Sequence, residues 1–323
     1  MLAVYATAPN PDDPLAALAV GDRPEPTRPD DSWTTVTVAA TSLNHHDLWT
    51  LRGVGIAPDR FPMVLGCDAA GVDADGAEVV VHAVIASPGW TGDETLDPAR
   101  SLLSERYPGT FAERVAVPRR NLLPKPAELS MAEAACVPTA WLSAYRMLFV
   151  KSGLRPGQTV LVQGSTGGVA TALIALGRAA GLRVWATGRT EAKRAAALGL
   201  GAHAAFEPGA RLPERVDAVM ETVGEATWAH SLKAVRPGGT VVVTGATSGA
   251  NPPVDLRRVF FLQISVVGST MGTRDELAGL MSLLVATGIR PVVDTQLPLE
   301  RAPEGFARMA AGEVTGKIVF TVA

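Results

Sequence analysis

A chain of 323 residues with 47% apolar and 19% charged side chains is too long for one small core, suits two domains, and is too hydrophobic to stay disordered. Basic and acidic residues nearly cancel, 29 against 32, and the net charge of −3 points away from nucleic acid as a partner. No apolar run is long enough for a bilayer, the start Met1–Pro14 carries acids and no basic segment and so does not read as a secretory signal, and two cysteines, Cys67 and Cys136, suit a reducing cytoplasm.

Residues 1–123 read as irregular β structure. Val36 and Val38 alternate with threonines, the period of a half-buried strand, and Glu78–Val81 predicts another strand after the turn Asp75–Gly76. Residues 86–110 have no periodicity and form the longest predicted loop. Near residue 124 the texture changes. Ser130 with Glu133 makes a capping box, and the helix it opens is predicted to reach about Val150. Short β-branched runs then alternate with Ala-rich ones. Strands are predicted at 159–164, 183–188, 216–222, 240–245 and 265–269, and helices at 168–180, 190–199, 225–235 and 274–287. Thr190 and Thr273 stand as N-caps. Continuous apolar strands between helices predict a parallel sheet covered on both faces. The run 259–268, apolar almost throughout, leads into the last strand of that sheet, an edge that must be covered or paired. The final β-like run, 316–322, is predicted to rejoin the N-terminal domain.

The segment Gly164-Ser165-Thr166-Gly167-Gly168-Val169-Ala170 ends a strand and opens a helix. Against the pattern G-x-G-x-x-G/A its three places hold Ser165, Gly167 and Ala170. Small residues there let the backbone approach a pyrophosphate at a helix N-terminus. The second strand ends in Gly188-Arg189 and has no carboxylate at its tip to hold a ribose 2′-hydroxyl. Arg189, with Lys193 one turn on, suits a 2′-phosphate, so the residues predict NADPH/NADP+.

The runs Ser42-Leu-Asn44-His-His-Asp47, Pro62–Gly71, Gly109-Thr-Phe-Ala-Glu113, Gly167–Gly168, Arg236-Pro-Gly-Gly239 and Gly316-Lys317 together resemble the medium-chain dehydrogenase/reductase superfamily, in particular its zinc-independent quinone oxidoreductase-like branch. The resemblance implies an α/β chain with two domains. A GroES-like β-rich catalytic domain would take 1–123 and 291–323, and a Rossmann doubly wound parallel-sheet domain 124–290. It also implies a homodimer formed through the last strand of the nucleotide sheet. Zinc-dependent relatives hold their metal at three places that correspond here to Asn44, Cys67 and Thr139, a set with one good ligand. Residues 86–110, where relatives carry a four-cysteine lobe, contain no cysteine.

These residues predict metal-free hydride transfer to a quinone or an α,β-unsaturated carbonyl. Asn44 is the candidate to orient substrate or ribose, and His45 or His46 the candidate proton donor. Trp49 stands where relatives place a tyrosine and, with Cys67, is a candidate pocket wall. Thr139, Thr244, Gly245 and Lys317 fall in segments that approach the cofactor in relatives. Two other readings remain open. One is a zinc-dependent alcohol dehydrogenase with atypical ligands from His45, His46, Cys67 and Asp68; the other is an NADPH-binding protein without catalysis.

Overall fold

Five of the β-branched runs become parallel strands in the computed structural model, which describes residues 1–322. Packing divides the chain into two units, Met1–Leu142 together with Met271 onward, and Ser143–Thr270. Residues 124–142 and 271–290 therefore group with the first unit.

In the second unit the sheet order is Ala204–Phe206, Arg183–Thr187, Thr159–Val162, Val216–Glu221, Val235–Val243, Ser265–Gly268, every ladder parallel. The chain starts in the middle and winds outward both ways, which puts the loops after each strand on one edge. Thr159–Val162 is buried along its whole length, as a strand covered on both faces must be. Helices Gly168–Ala179, Glu191–Gly199 and Glu225–Ala234 lie within a residue or so of their predicted bounds. Ala204–Phe206 was not expected: three half-buried residues carry no readable period. The strand expected from 240 begins at Val235 and runs through Pro237 and two glycines, with a register shift against Val216/Ala218.

In the first unit the ten-residue strand Trp33–Ser42 is the hub. Ala70–Asp73, Arg114–Pro118 and the C-terminal strand Lys317–Thr321 all pair with it, antiparallel. The C-terminal run thus joins the N-terminal β structure, Val319 opposite Ser42. Beneath lie Phe111, Phe306 and Phe320, with Phe111 edge-on to Phe320 at 5.2 Å between centroids. Leu43, Leu48 and Leu51 join this cluster and seat the helix His45–Leu51. Elements outside the sequence reading include the strands Leu2–Ala6, Leu18–Asp22 and Val293–Pro298, the helices His45–Leu51 and Leu256–Phe261, and the helix Ala302–Ala311, which has a proline in its first turn and ends at left-handed Gly312.

The capping box at Ser130 forms, but its helix is not uniform. It is α-helical over Met131–Ala135, widens to π turns over Val137–Trp141, returns to α over Leu142–Tyr145 and widens again over Arg146–Lys151. Pro138 has no N–H to give the preceding turn, which accounts for the first widening. Among the described residues no helix is long and apolar enough to cross a membrane.

Candidate active site

The helix His45–Leu51 begins with a reciprocal cap: Asn44 is its N-cap, and its backbone N–H donates to Asp47 Oδ2 at 2.8 Å. The other oxygen of Asp47 accepts from Gly66 N at 2.9 Å, which ties the helix start to the segment carrying Cys67 and Asp68. Burial pushes the Asp47 carboxyl up to about 6. Gly66 is required there: its φ is +98°, and a Cβ would lie 2.3 Å from the Phe111 ring.

Asn44 is the centre of a fully internal network. Its Nδ2 donates to Ser42 O at 3.2 Å and to Asp68 Oδ2 at 2.8 Å, and its Oδ1 accepts from the Lys317 ammonium. Lys317 Nζ also donates to Leu43 O at 2.7 Å and lies 3.4 Å from Asp68 Oδ2. Ser42 Oγ adds a hydrogen bond to the same oxygen at 2.6 Å. Two sequence expectations change. Lys317 is 2% exposed with all three donors committed, so it has none left for a phosphate. Both amide protons of Asn44 are likewise spent on protein acceptors rather than turned toward a ligand. Asp68 Oδ1, by contrast, is buried with no partner among the described residues.

The two adjacent histidines have different surroundings. His46 lies between two groups: its Nδ1 is 3.2 Å from Cys67 Sγ and its Nε2 is 3.2 Å from Glu105 Oε1. Burial pulls its pKa down, but Cys67 and Glu105 outweigh burial and hold it well above the ordinary value. Both ring nitrogens being committed, His46 is not placed to pass a proton directly to a ligand. His45 is exposed and its ring makes no hydrogen bond among the described residues. Its pKa is pushed down, first by the dry protein around it, then by the Lys317 and Arg52 cations, so it is a neutral imidazole at pH 7. Cys67 is fully buried, and its sulfur faces Leu103 O at 3.3 Å and Ser104 Oγ at 3.8 Å as well as His46, so it does not line an open pocket as expected. Burial pushes its thiol up. Glu105 went unread because it lies in the aperiodic 86–110 segment, where nothing in one sequence marks a partner.

Thr139 lies in the first π-helical stretch, with its Oγ1 buried and unpartnered among the described residues. Cys136 is core: its sulfur donates to Ala132 O at 3.2 Å, and burial pushes its pKa up to about 12. Trp49 is half-buried on the His45–Leu51 helix.

On the second unit, the predicted nucleotide residues gather along the C-terminal edge of the parallel sheet. Gly164 N donates to Thr187 Oγ1 at 3.0 Å, Thr187 Oγ1 to Gln163 Oε1 at 2.9 Å, and Gln163 Nε2 to Ser231 Oγ at 2.9 Å. Ser231 Oγ in turn donates to the fully buried Glu221 at 2.6 Å. This chain, invisible in sequence, fixes the loop. Ser165 and Thr166 are buried, and Gly167 is the N-cap of the helix from Gly168, through Val169, with no side chain serving its first amides. A Cβ on Gly167 would meet nothing within 4 Å, so the approach is open there. At Gly188 a Cβ would come within 3.0 Å of Ser165 Oγ, which explains the glycine. Arg189 beside it is exposed, and Lys193 has its pKa pushed down by burial and then by Arg189, two cations brought close together. Thr244 Oγ1 donates to Ser269 O at 2.8 Å, so its proton is spent within the sheet; Gly245 sits against Thr222 O.

Comparison with known proteins matches residues 30–127 to the family described as alcohol dehydrogenase GroES-like domain and 168–286 to the one described as zinc-binding dehydrogenase. Crotonyl-CoA carboxylase/reductase of Cereibacter sphaeroides is 27% identical over 85% of this chain and 76% of its own length. Human quinone oxidoreductase is 27% identical over 90% of this chain and 89% of its own. A solved structure titled as an NAD-dependent alcohol dehydrogenase superposes with a TM-score of 0.92 at 32% identity, covering 100% of both chains.

The three places that carry zinc in metal-dependent relatives do not fit the ion here. Asn44 Oδ1 already faces the ammonium of Lys317, a fixed positive charge that a second cation would have to meet. Cys67 Sγ makes its contacts with His46, Leu103 and Ser104 rather than with Asn44 or Thr139. Thr139 offers only a neutral hydroxyl. The buried Lys317–Asp68 pair is open to direct test. Lys317→Met leaves the Asp68 carboxylate buried without its cation and is expected to cost about 3–5 kcal/mol in denaturant unfolding. Adding Asp68→Asn to it is expected to return most of that loss; no recovery in the double variant would show that the pair is not the source of the cost.

Proposed function

The chain belongs to the medium-chain dehydrogenase/reductase superfamily of oxidoreductases, and on that footing we propose that it passes a hydride from NADPH to the electron-poor double bond of a quinone or α,β-unsaturated carbonyl, with no metal on the acceptor oxygen. The observation that carries this reading is the buried Lys317–Asn44–Asp68 network, which fills with an internal ammonium the place where an alcohol dehydrogenase needs ligands. Without a Lewis acid an alcohol keeps its proton and is a poor hydride donor, whereas a conjugated acceptor is already polarised. When bound, the dihydronicotinamide supplies the hydride.

This chain's residues then have separate tasks. The uncapped amides after Gly167 take the pyrophosphate, and Arg189 with Lys193 takes the 2′-phosphate, for which Gly188 leaves room. Negative charge that develops on the acceptor oxygen needs hydrogen-bond donors. The neutral ring of His45 and the unpartnered hydroxyl of Thr139 are the donors proposed for this charge. A neutral imidazole is a weak acid, so His45 acts by donating a hydrogen bond, and water completes protonation.

A second copy of the chain is the partner proposed. Among the described residues the edge strand Ser265–Gly268 has no neighbour on its outer side, with Val266 46% exposed, and the preceding helix shows Phe260 at 61% and Phe261 at 74%. Pairing two such edges across a two-fold axis would cover this surface.

NADPH oxidation is expected with quinones, enones or enoyl thioesters; turnover confined to alcohols with NAD(P)+ would reject the proposal. Arg189→Ala is expected to raise KM for NADPH roughly ten- to a hundredfold while leaving that for NADH nearly unchanged. Equal effects on both cofactors would remove the 2′-phosphate argument. Light scattering is expected to give a dimer, and Phe261→Asp combined with Val266→Lys a monomer; a monomeric parent protein would reject the dimer.

A further inference from the structure

The tip of the strand Arg183–Thr187 carries one more cation than the nucleotide site has so far used. Arg194 Nη1 donates to Gly188 O at 3.0 Å, and its Nη2 lies 3.4 Å from Glu207 Oε1. Gly188 N donates to Phe206 O at 2.9 Å, so the residue at the tip is held by the neighbouring strand on one side and by a guanidinium on the other. Its φ is not left-handed, so the glycine there answers to space rather than to conformation. A Cβ on Gly188 would come within 3.0 Å of Arg194 Cγ and 3.1 Å of Arg194 N. The stem of Arg194 therefore fills the direction in which a side chain at 188 would point. NAD sites place a carboxylate at this strand tip to hold the ribose 2′-hydroxyl. We propose that Arg194 is a specificity-determining residue of the cofactor site: it takes the room of that carboxylate, and it exchanges Glu207 for the ribose 2′-phosphate.

Three features support the assignment. The Arg194 side chain is 22% exposed and that of Glu207 73%. An ion pair with one partner largely in water is weak and screened by salt, whereas a phosphate meets a guanidinium in a fork of two charged hydrogen bonds. The two contacts of Arg194 commit two of its five N–H donors, so Nη1 keeps Gly188 O while Nη2 changes partner. Arg194 also follows Lys193 directly on the helix Glu191–Gly199, whose N-cap Thr190 follows Arg189. Lys193 already has its pKa lowered, by burial and then by Arg189, so a third cation adds to a crowded positive field. Glu207 supplies counter-charge to that third cation in the free protein, and the 2′-phosphate supplies it to all three in the complex.

Glu207 thereby sets how strongly the 2′-phosphate is preferred, because every bound phosphate has to displace it. This role of Arg194 and Glu207 rests on NADPH as the cofactor, and a binding experiment without turnover separates the two.

Adenosine 2′,5′-bisphosphate and adenosine 5′-monophosphate are titrated into the full chain by calorimetry. The parent protein is expected to bind the bisphosphate more tightly. Arg194→Gln is expected to weaken the bisphosphate about tenfold or more and to leave the monophosphate nearly unchanged. Glu207→Gln is expected to tighten the bisphosphate about two- to fivefold, again without effect on the monophosphate, and to lose that gain when combined with Arg194→Gln. Equal affinity of the parent protein for the two nucleotides would remove the NADPH reading, and this role with it. A preference that survives Arg194→Gln, or a loss shared equally by the monophosphate, would overturn the role of Arg194 and leave the NADPH reading standing. A gain from Glu207→Gln that persists without Arg194 would overturn the exchange. Glu207 lies on the surface, so Glu207→Gln decides should Arg194→Gln not fold, and unchanged bisphosphate affinity in it also overturns the proposal.

Discussion

One buried ion pair organises the first unit. Lys317 belongs to the last strand of the chain and Asp68 to the segment before Ala70–Asp73, and the two meet beside the start of the His45–Leu51 helix. Withdrawing both charges from water costs several kcal/mol per ion, which mutual attraction alone repays poorly. The repayment comes from the neighbours. Ser42, Asn44 and Lys317 all converge on Asp68 Oδ2, and Lys317 spends its remaining protons on Leu43 O and Asn44 Oδ1. Such an arrangement is intolerant of small shifts, so it fixes the register of the C-terminal strand against Trp33–Ser42 and the position of the helix whose first two residues are the histidines.

The consequence for chemistry is a separation of two side chains that sequence could not tell apart. His45 and His46 are neighbours on one helix turn, and consecutive helical residues point about 100° apart. One ring is turned toward Cys67 and Glu105; the other is left exposed, beside the field of Lys317 and Arg52. Desolvation first, and then that same lysine together with Arg52, favours the neutral form of His45. That fits a group asked to meet a developing oxyanion with a hydrogen bond, and it does not fit one asked to be a strong acid.

What was legible in sequence follows the range of each interaction. The parallel sheet was readable because buried strands such as Thr159–Val162 are apolar throughout and their helices carry caps at Thr190 and Thr273. The glycine loop was readable because a backbone that must approach phosphate restricts residue size locally. Neither the Glu221–Ser231–Gln163–Thr187 chain nor the Glu105–His46 contact has such a local mark. Each joins residues far apart along the chain, and the residue types involved are ordinary at any surface. Lys317 illustrates the limit well: a lysine after glycine looks solvated, and only the fold reveals it as 2% exposed and fully bonded.

The two units solve one electrostatic problem in opposite ways. In the first, two cations near the active-site helix are met inside the protein, Lys317 by Asp68 and Asn44, His46 by Glu105 and Cys67. In the second, Arg189 and Lys193 are brought together at the end of a strand that carries no carboxylate, and the helix from Gly168 starts without a side-chain cap. Two cations held close together attract a ligand of opposite charge. An anionic nucleotide with an additional phosphate, as proposed, would bring negative charge to both places at once. In the proposed reading the uncharged His45 ring and Thr139 hydroxyl of the first unit are the donors offered to the acceptor. Uncharged donors stabilise an oxyanion as it forms without binding an anionic product tightly afterwards. That favours release of a reduced carbonyl or quinol over its retention.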